Sequence, residues 1–426
     1  MMAQACKQKI MILLSIAAAV LVMTSVSAGA AEVTFPVAAY TPEELSKVRA
    51  WEKIWAGKKI DKNNIDQVAE FMPAAYVEIY KNPDKWGGPP EGNYFTIVPY
   101  RRIVETRGMI AATKKYAPLV KVDAAGRITN YADIAGFPFP DPRTGLEIAY
   151  NMECQSRGDT YEMRWKGGVI TPRTRTERNS NQLFKEMYFV HRVDTEPLPA
   201  ILKNPKGIHK AQFLHFDLPP EMNNSRLIVM KYIDDSKDYA SYLYYSQFRR
   251  IKRLSQAERT NAIDGQDQIY DDGNMFDGYI NRNTYTYKGK KELLLARHQD
   301  INDIIHVAGE ALSSGYTFER CNTYVVEVVN KDPDYIYSKR IWYLDPETYM
   351  IHWQEMYDSV GRYWKCFNQP TSNIKTAKGE MKNFMAAYIM QDMQRRHSGQ
   401  TKMHIRGIGK KMSPRQFSLS NLQKTY

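Results

Sequence analysis

Nothing in these 426 residues spells out a catalyst. There is no His-Glu-x-x-His run, which excludes the commonest zinc-protease helix. There is no Gly-x-Ser-x-Gly elbow, no phosphate-binding P-loop and no Gly-x-Gly-x-x-Gly fingerprint. The eight histidines are scattered. Only four cysteines are present, and no pair has the Cys-x-x-Cys spacing of a redox or zinc site. One N-terminal run apart, no stretch is apolar enough to cross a bilayer. We therefore expect no catalytic residue, no metal site and no cofactor.

That one N-terminal run is informative. Lys7 and Lys9 precede an uncharged apolar stretch from Ile10 to about Val26, and Ala28-Gly29-Ala30 supplies the small residues of a cleavage site. Residues 1–30 thus read as a signal peptide, with the mature chain starting near Ala31 in the periplasm of a Gram-negative cell. The competing reading is an uncleaved membrane anchor. Cys6 lies before the apolar run, so lipidation is not expected. Formal charge is +12, and +10 once Lys7 and Lys9 are removed. Export argues against nucleic acid as the partner of that charge, which leaves anionic lipid or solubility. After cleavage Cys154, Cys321 and Cys366 remain. They can form one disulfide and leave one thiol, or stay buried and unpaired; spacing does not choose.

Residues 31–90 form an N-terminal helical segment. Thr41-Pro42-Glu43-Glu44 is a helix start, with Thr as N-cap and Glu three positions on. Leu45, Val48, Trp51, Ile54 and Trp55 follow at helical spacing, and Val68, Phe71 and Met72 mark a second stretch. Pro83 to Gly92 is a loop and a subdomain boundary. Residues 91–426 read mainly as strands. Arg226 to Met230, the 238–254 stretch, 321–329 and 337–344 carry runs rich in Val, Ile and Tyr. Asp345-Pro346-Glu347-Thr348 and Asp358-Ser359-Val360-Gly361 are turns, so 337–367 is an antiparallel meander. The 378–397 stretch fits a helix stripe (Met381, Phe384, Met385, Tyr388, Ile389, Met393) and also a strand face.

Three groups of residues carry weak chemical signals. Asp271, Asp272 and Asp277 cluster around glycines, but not at EF-hand spacing, so a solvated loop is expected rather than a calcium site. Glu355 and Asp358 read as ordinary acids beside a hairpin turn. Arg249, Arg250, Lys252 and Arg253 form the strongest local charge. They read either as a solvated strand end or as contacts to anionic headgroups.

Ala135-Gly136-Phe137-Pro138-Phe139-Pro140 with Pro142-Arg143-Thr144-Gly145-Leu146-Glu147 resembles the GxPFPxPKTGxE signature of a proteobacterial family of unknown function, described as outer-membrane lipoprotein-sorting-like. The resemblance continues in order. It takes in Tyr242-Leu243-Tyr244 with Arg249-Arg250-Ile251, then Met275-Phe276-Asp277-Gly278 and Tyr287 to Leu293. It goes on through Lys339 to Asp345, Tyr357 to Gly361, and Phe417 to Leu422. An Arg-Tyr pair usual in the family is replaced here by Arg282-Asn283-Thr284-Tyr285. The helical N-terminal part matches poorly. The resemblance favours strand and turn over residues 385–397.

The resemblance implies an α+β, mainly β fold: a strongly curved antiparallel sheet, an incomplete barrel of the Lol-type lipoprotein-carrier kind, with covering helices. It implies a periplasmic carrier for a lipid, lipoprotein acyl chain or other hydrophobic ligand. The implied partners are an inner-membrane permease of the resistance-nodulation-division type and an outer-membrane component. A cell-envelope enzyme and a structural adaptor of a transport complex are the alternatives. Strand alternation nominates Tyr242, Tyr244, Ile341, Tyr343, Trp353 and Tyr357 as lining of the ligand space, and Arg249, Arg250, Lys252 and Arg253 as headgroup contacts. That space should be apolar, open-mouthed and several hundred Å³ in volume.

Overall fold

Helices begin where the sequence supplies caps. In the computed structural model, which describes residues 38–155, 157–171, 175–255, 257–262, 266–305 and 310–423, helix α1 spans Pro42–Trp55. Thr41 and Glu44 close a capping box on its first turn. The expected leader, 1–30, lies outside the described residues. A 3-10 turn, Ile65–Phe71, leads to α2, Ala74–Lys81. Helix α3 spans Arg107–Tyr116. Helix α4, Gly145–Cys154, starts on a second capping box, Thr144 with Glu147. A short α5, Leu419–Leu422, lies near the C-terminus. No helix among the described residues is long and apolar enough to cross a membrane.

The rest is strand. β1 (Lys59–Ile60) and β2 (Phe95–Ile97) are short. β3 (Thr160–Thr171), β4 (Arg175–Tyr188), β5 (Ile208–Leu218), β6 (Arg226–Tyr232), β7 (Ala240–Tyr245) and β8 (Arg250–Leu254) form one antiparallel series. β9 (Asn283–Leu295), β10 (Tyr316–Asn330), β11 (Lys339–Leu344), β12 (Ile351–Tyr357) and β13 (Tyr363–Asn368) form another. β14 (Thr371–Lys375) and β15 (Met381–Met385) make a separate ribbon, and β16 (Ala387–Asp392) and β17 (His397–Ile408) end the chain's strands. Fifteen strands join in one large, curved sheet that does not close. Its pairing is antiparallel except between β2 and β10. β16 and β17 sit between β13 and β3 and seam the two series together. The architecture is the mainly β, incompletely closed sheet with few helices that the sequence resemblance implied.

The 378–397 stretch is strand, turn and strand. Its helix-like stripe has a physical origin: every residue of β16 is buried, so both faces are apolar or packed and alternation disappears. The meander of 337–368 follows its turn signals.

Cross-strand partners share a face, so the register assigns every strand residue to one of two sides. On one side, called here the helix face, lie Tyr343, Trp353, Cys366 and Ile389. They join the core made with Val48, Tyr76, Ile79, Tyr80 and Leu293. Tyr76 of α2 meets Trp353 edge-on with ring centroids 4.5 Å apart. At the other end of the same face Phe213, Ile228 and Met230 pack under Phe417 and Leu422. All three described cysteines are buried and free.

The N-terminal segment is held to the sheet by a buried cluster around Arg297, which is 0% exposed. Arg297 Nη2 donates to Glu347 Oε2 at 2.8 Å and to the Arg101 carbonyl at 2.8 Å. Glu347 also accepts from Tyr100 and from the Ile103 amide, and Glu319 accepts from the Arg101 amide and pairs with His298. Carboxylates on β10 and on the β11–β12 turn thereby satisfy backbone groups of the 100–103 segment that have no sheet partner.

The seam between β17 and β3 depends on glycine. A Cβ on Gly167 would collide with the Gln400 carbonyl oxygen, whereas one on Gly399 would meet nothing. We expect Gly167→Ala to lower the unfolding free energy by roughly 2–3 kcal/mol through overpacking, read from urea midpoints. Gly399→Ala on the same seam should stay within about 0.5 kcal/mol of the parent.

Candidate functional site

The side opposite the helix face is where the polar chemistry collects. Its strand residues include Arg340, Trp342, Met356, Lys365, Phe367, Tyr388, Met390, Trp165 and Phe184. They continue through Leu214, Gln212, Lys210, Leu227, Val229 and Lys231. Across them runs a segment of irregular chain, residues 266–282, buried or half-buried throughout. We call it the strap.

Ion pairs and hydrogen bonds fasten the strap along its length. At one end Asp267 contacts His397 of β17 at 2.6 Å, and its carbonyl accepts from Lys365 of β13. Asp272 meets Arg340 of β11 at 2.6 Å and the Tyr337 hydroxyl at 3.0 Å. Asp271 meets Arg259 at 2.8 Å. Asn274 accepts from the Tyr388 hydroxyl of β16 at 3.1 Å. At the far end Asp277 pairs with Lys210 of β5 at 2.7 Å, and the Gly278 carbonyl accepts from Lys231 of β6 at 3.0 Å. The strap therefore reaches from one strand series to the other.

This corrects the expectation of a solvated loop. Asp271, Asp272 and Asp277 are 6%, 0% and 3% exposed. Arg340 and Lys210 lie far away in sequence, and Arg259 comes from a separate turn before the strap, so local spacing carries no trace of the pairing. Burial opposes ionisation of Asp277, but Lys210, Lys231 and Arg259 outweigh it and hold its carboxyl below the usual range. Among the described residues no group of three or more His, Cys, Asp or Glu side chains is placed to hold a metal ion.

Under the strap the sheet is apolar. Trp165, Phe184, Leu214, Leu227 and Val229 form a floor, and Arg259, Tyr270, Gly273, Asn274 and Asp277 form the roof of a narrow gap of about 40 Å³. Trp165 and Phe184 stack at 5.2 Å. Larger open cavities flank the strap and mix aromatic with charged lining, so the apolar, open-mouthed space of several hundred Å³ expected from the sequence is not present among the described residues in this closed arrangement. One of about 310 Å³ includes Glu153, His209 and Lys231, and one of about 670 Å³ includes Asp271, Arg282, Asp332 and Tyr335.

The six lining candidates from strand alternation share one face, as the register shows. Tyr343 lies opposite Trp353, Ile341 opposite Glu355, and Lys339 opposite Tyr357. Through β13, β16, β17 and β3 to β5 that face continues to Ile228, which pairs with Tyr242. It is the helix face, not the strap face. Ile341, Tyr343 and Trp353 come together beneath the N-terminal helices. Tyr343 donates to Glu355 at 2.8 Å, Trp353 donates to the Leu294 carbonyl at 2.9 Å, and Tyr357 packs on Tyr363. Tyr242 and Tyr244 lie at the far end of the sheet, against the other apolar cluster. Glu355 and Asp358 have the expected hairpin contacts, Asp358 pairing with Arg362 at 2.9 Å.

Arg249, Arg250, Lys252 and Arg253 lie on the edge strand β8 and its turn, all exposed. Among the described residues only Lys252 of the four has an ion-pair partner, Glu258 at 2.7 Å. Phe248, 69% exposed, stands at the tip of the same hairpin.

A buried trio, Glu153 with Lys231 at 2.5 Å and His209 at 3.2 Å, had no signature in the sequence. Its members come from α4, β6 and β5. Burial opposes the charge of Glu153, but Lys231 and His209 hold its carboxyl well below the usual range. Burial lowers His209, so its ring is neutral at pH 7.

The family model described as "Protein of unknown function (DUF1329)" matches residues 59–423. An uncharacterized protein of Pseudomonas aeruginosa, PA3922, is 24% identical over 324 residues, which cover 72% of this chain and 67% of that protein. A crystal structure of a DUF1329 family protein from Desulfovibrio piger superposes with a TM-score of 0.48 at 13% identity, covering 66% of this chain and 98% of that one. A putative outer membrane lipoprotein-sorting protein domain from Vibrio parahaemolyticus gives 0.47 at 14% identity, covering 66% and 98%. A LolA superfamily protein from Nitrosomonas europaea gives 0.39 at 13% identity, covering 66% and 100%.

Buried histidines set a pH dependence. His352 is fully buried, and burial pulls its pKa down to about 3. Below pH 6.5 the unfolded chain takes up this proton and the folded chain does not. Stability from this group is therefore lost as pH falls from 6.5 towards 3. Between pH 7 and pH 5 its share is about 2 kcal/mol at most. We expect His352→Leu to show a smaller drop in urea midpoint over that interval than the parent.

Proposed function

Taking as premise that the chain belongs to the DUF1329 family of proteins of unknown function, we propose that it is a periplasmic carrier for a hydrophobic ligand, shown here closed. One observation carries this reading: an apolar floor of Trp165, Phe184, Leu214, Leu227 and Val229 lies beneath a polar strap. The natural complement of that floor is a hydrocarbon surface. An acyl chain laid on it gains roughly 25 cal/mol for each Å² of apolar surface removed from water. A permanent lid over such a floor would be apolar, since buried ion pairs add little net stability over apolar packing. A strap fastened by charges instead has defined points of release, at Asp272–Arg340 and Asp277–Lys210. Loading then means lifting the strap rather than emptying a core.

This reading moves the ligand from the helix face to the strap face. Ile341, Tyr343 and Trp353 serve as the packed base for the N-terminal helices, Tyr242 and Tyr244 pack near one end of the sheet, and Tyr357 packs on Tyr363. The partners that go with the reading are an inner-membrane permease of the resistance-nodulation-division type and an outer-membrane acceptor. The work is binding and release, with no chemical step.

A brominated fatty acid tests it. Bromine quenches tryptophan at contact, so quenching should be saturable in the parent and should mostly vanish in Trp165→Phe. Asp272→Asn, which loosens the strap, should bind more tightly than the parent. Absence of quenching in both the parent and Asp272→Asn would overturn the carrier reading.

The basic hairpin has its own test. Changing Arg249, Arg250, Lys252 and Arg253 together to Gln should abolish low-salt binding to phosphatidylglycerol vesicles, each cation contributing about 1 kcal/mol near an anionic surface. Equal binding by the variant and the parent would reduce these residues to ordinary surface charge.

A further inference from the structure

The cavity of about 310 Å³ lies at the far end of the strap, apart from the apolar floor; strap residues Tyr279, Ile280 and Asn281 line it, and so does Lys231, which holds the Gly278 carbonyl. Its lining includes four tyrosines, Tyr131, Tyr150, Tyr232 and Tyr279, with the carboxylates of Asp133, Glu153 and Asp235. Lys231 is the one ammonium among the lining residues. The cavity is thus net negative within a chain whose formal charge is +12. Anions are disfavoured there, and a purely apolar ligand would strand the carboxylates without partners.

Glu153 is the telling residue. It is only 8% exposed and lies in the cavity wall. Its Oε1 takes both Lys231 and His209, while Oε2 has no hydrogen-bonding partner among the described residues. His209, 1% exposed and in the same wall, has its Nε2 buried and unpartnered. His209 Nε2 is sealed from the cavity, whereas the free carboxylate oxygen of Glu153 is a negatively charged acceptor, so the group that complements it is a cation, with or without an N–H to donate. Aromatic rings around carboxylates attract one class of cation above others, one with an organic surface, because the faces of the rings are negative. Lys231 already stands 5.3 Å over the Tyr279 ring, which shows that this wall accepts an ammonium.

We propose that this cavity binds the ammonium group of a small organic amine, free or as the head of a lipid. The cavity is large enough for an ethanolamine or choline group and not for an acyl chain beside it. The inference does not depend on the strap opening.

Calorimetry on the full mature chain tests it with choline, ethanolamine and 3,3-dimethylbutanol, the neutral isostere of choline. The two cations should bind, and the neutral alcohol should bind about tenfold more weakly or worse. Asp235→Asn and Tyr232→Leu, each first shown to be folded by circular dichroism, should weaken choline several-fold. Vesicles then separate the sources. Binding of free amines together with phosphatidylethanolamine vesicles marks a headgroup site, and binding of free amines alone marks a soluble amine. Equal affinity for choline and its isostere, or no heat from either amine at millimolar concentration, would overturn the proposal whatever the brominated fatty acid does.

Discussion

An open sheet of fifteen strands has two faces to cover and too few helices to cover them alike. Away from its edges the strands satisfy one another's backbone groups laterally, so the larger problem is the side chains. The two faces are solved differently. One receives helices α1 and α2 at one end and the C-terminal turn at the other, and packs as an ordinary core. The opposite face receives α4 and an irregular strap, and combines buried charges with an apolar floor. The Arg297 cluster makes the first solution possible, because it docks the chain between the N-terminal helices and α3 onto β10 and the β11–β12 turn. With that face closed by packing, any movable cover is left to the other.

The charges inside the strap face set its character. Asp272–Arg340, Asp271–Arg259 and Asp277–Lys210 are all buried pairs. Removing one partner leaves the other stranded, at a cost of about 3–5 kcal/mol. Separating both into water together costs far less, since both are re-solvated. The strap is thus intolerant of mutation and tolerant of opening, a combination that apolar packing does not offer. The adjoining Glu153–His209–Lys231 trio follows the same rule on a smaller scale.

What could be read from the sequence follows from the range of the interactions involved. The meander from β11 to β13 was legible because turns and alternation are local, and Asp345-Pro346 and Gly361 announce them. The capping box at Thr41 was legible for the same reason. That Tyr343 and Trp353 share a face with Tyr242 also follows from alternation, although which of the two faces it is does not. β16 was illegible because a strand buried on both sides loses its period. The strap was misjudged because acids among glycines look solvated until their cations arrive from other strands. Lys210 and Arg340 sit in strands where nothing marks them as buried. The thiols of Cys154, Cys321 and Cys366 stay apart for a reason that only packing reveals, each being enclosed in its own surroundings.

The seam between β17 and β3 has a temporal consequence. Thr401 lies against Gly167, so the two strand series are joined by partners from opposite ends of the chain. A ribosome delivers β3 to β8 long before β17 exists. Until it does, β3 presents a bare edge of twelve residues that can pair with any other strand within reach. Long-range pairings of this kind form slowly, because the loop between the partners must be closed first. The nascent chain therefore carries an unsealed edge through more than half of its synthesis, and a holding chaperone has its clearest target there.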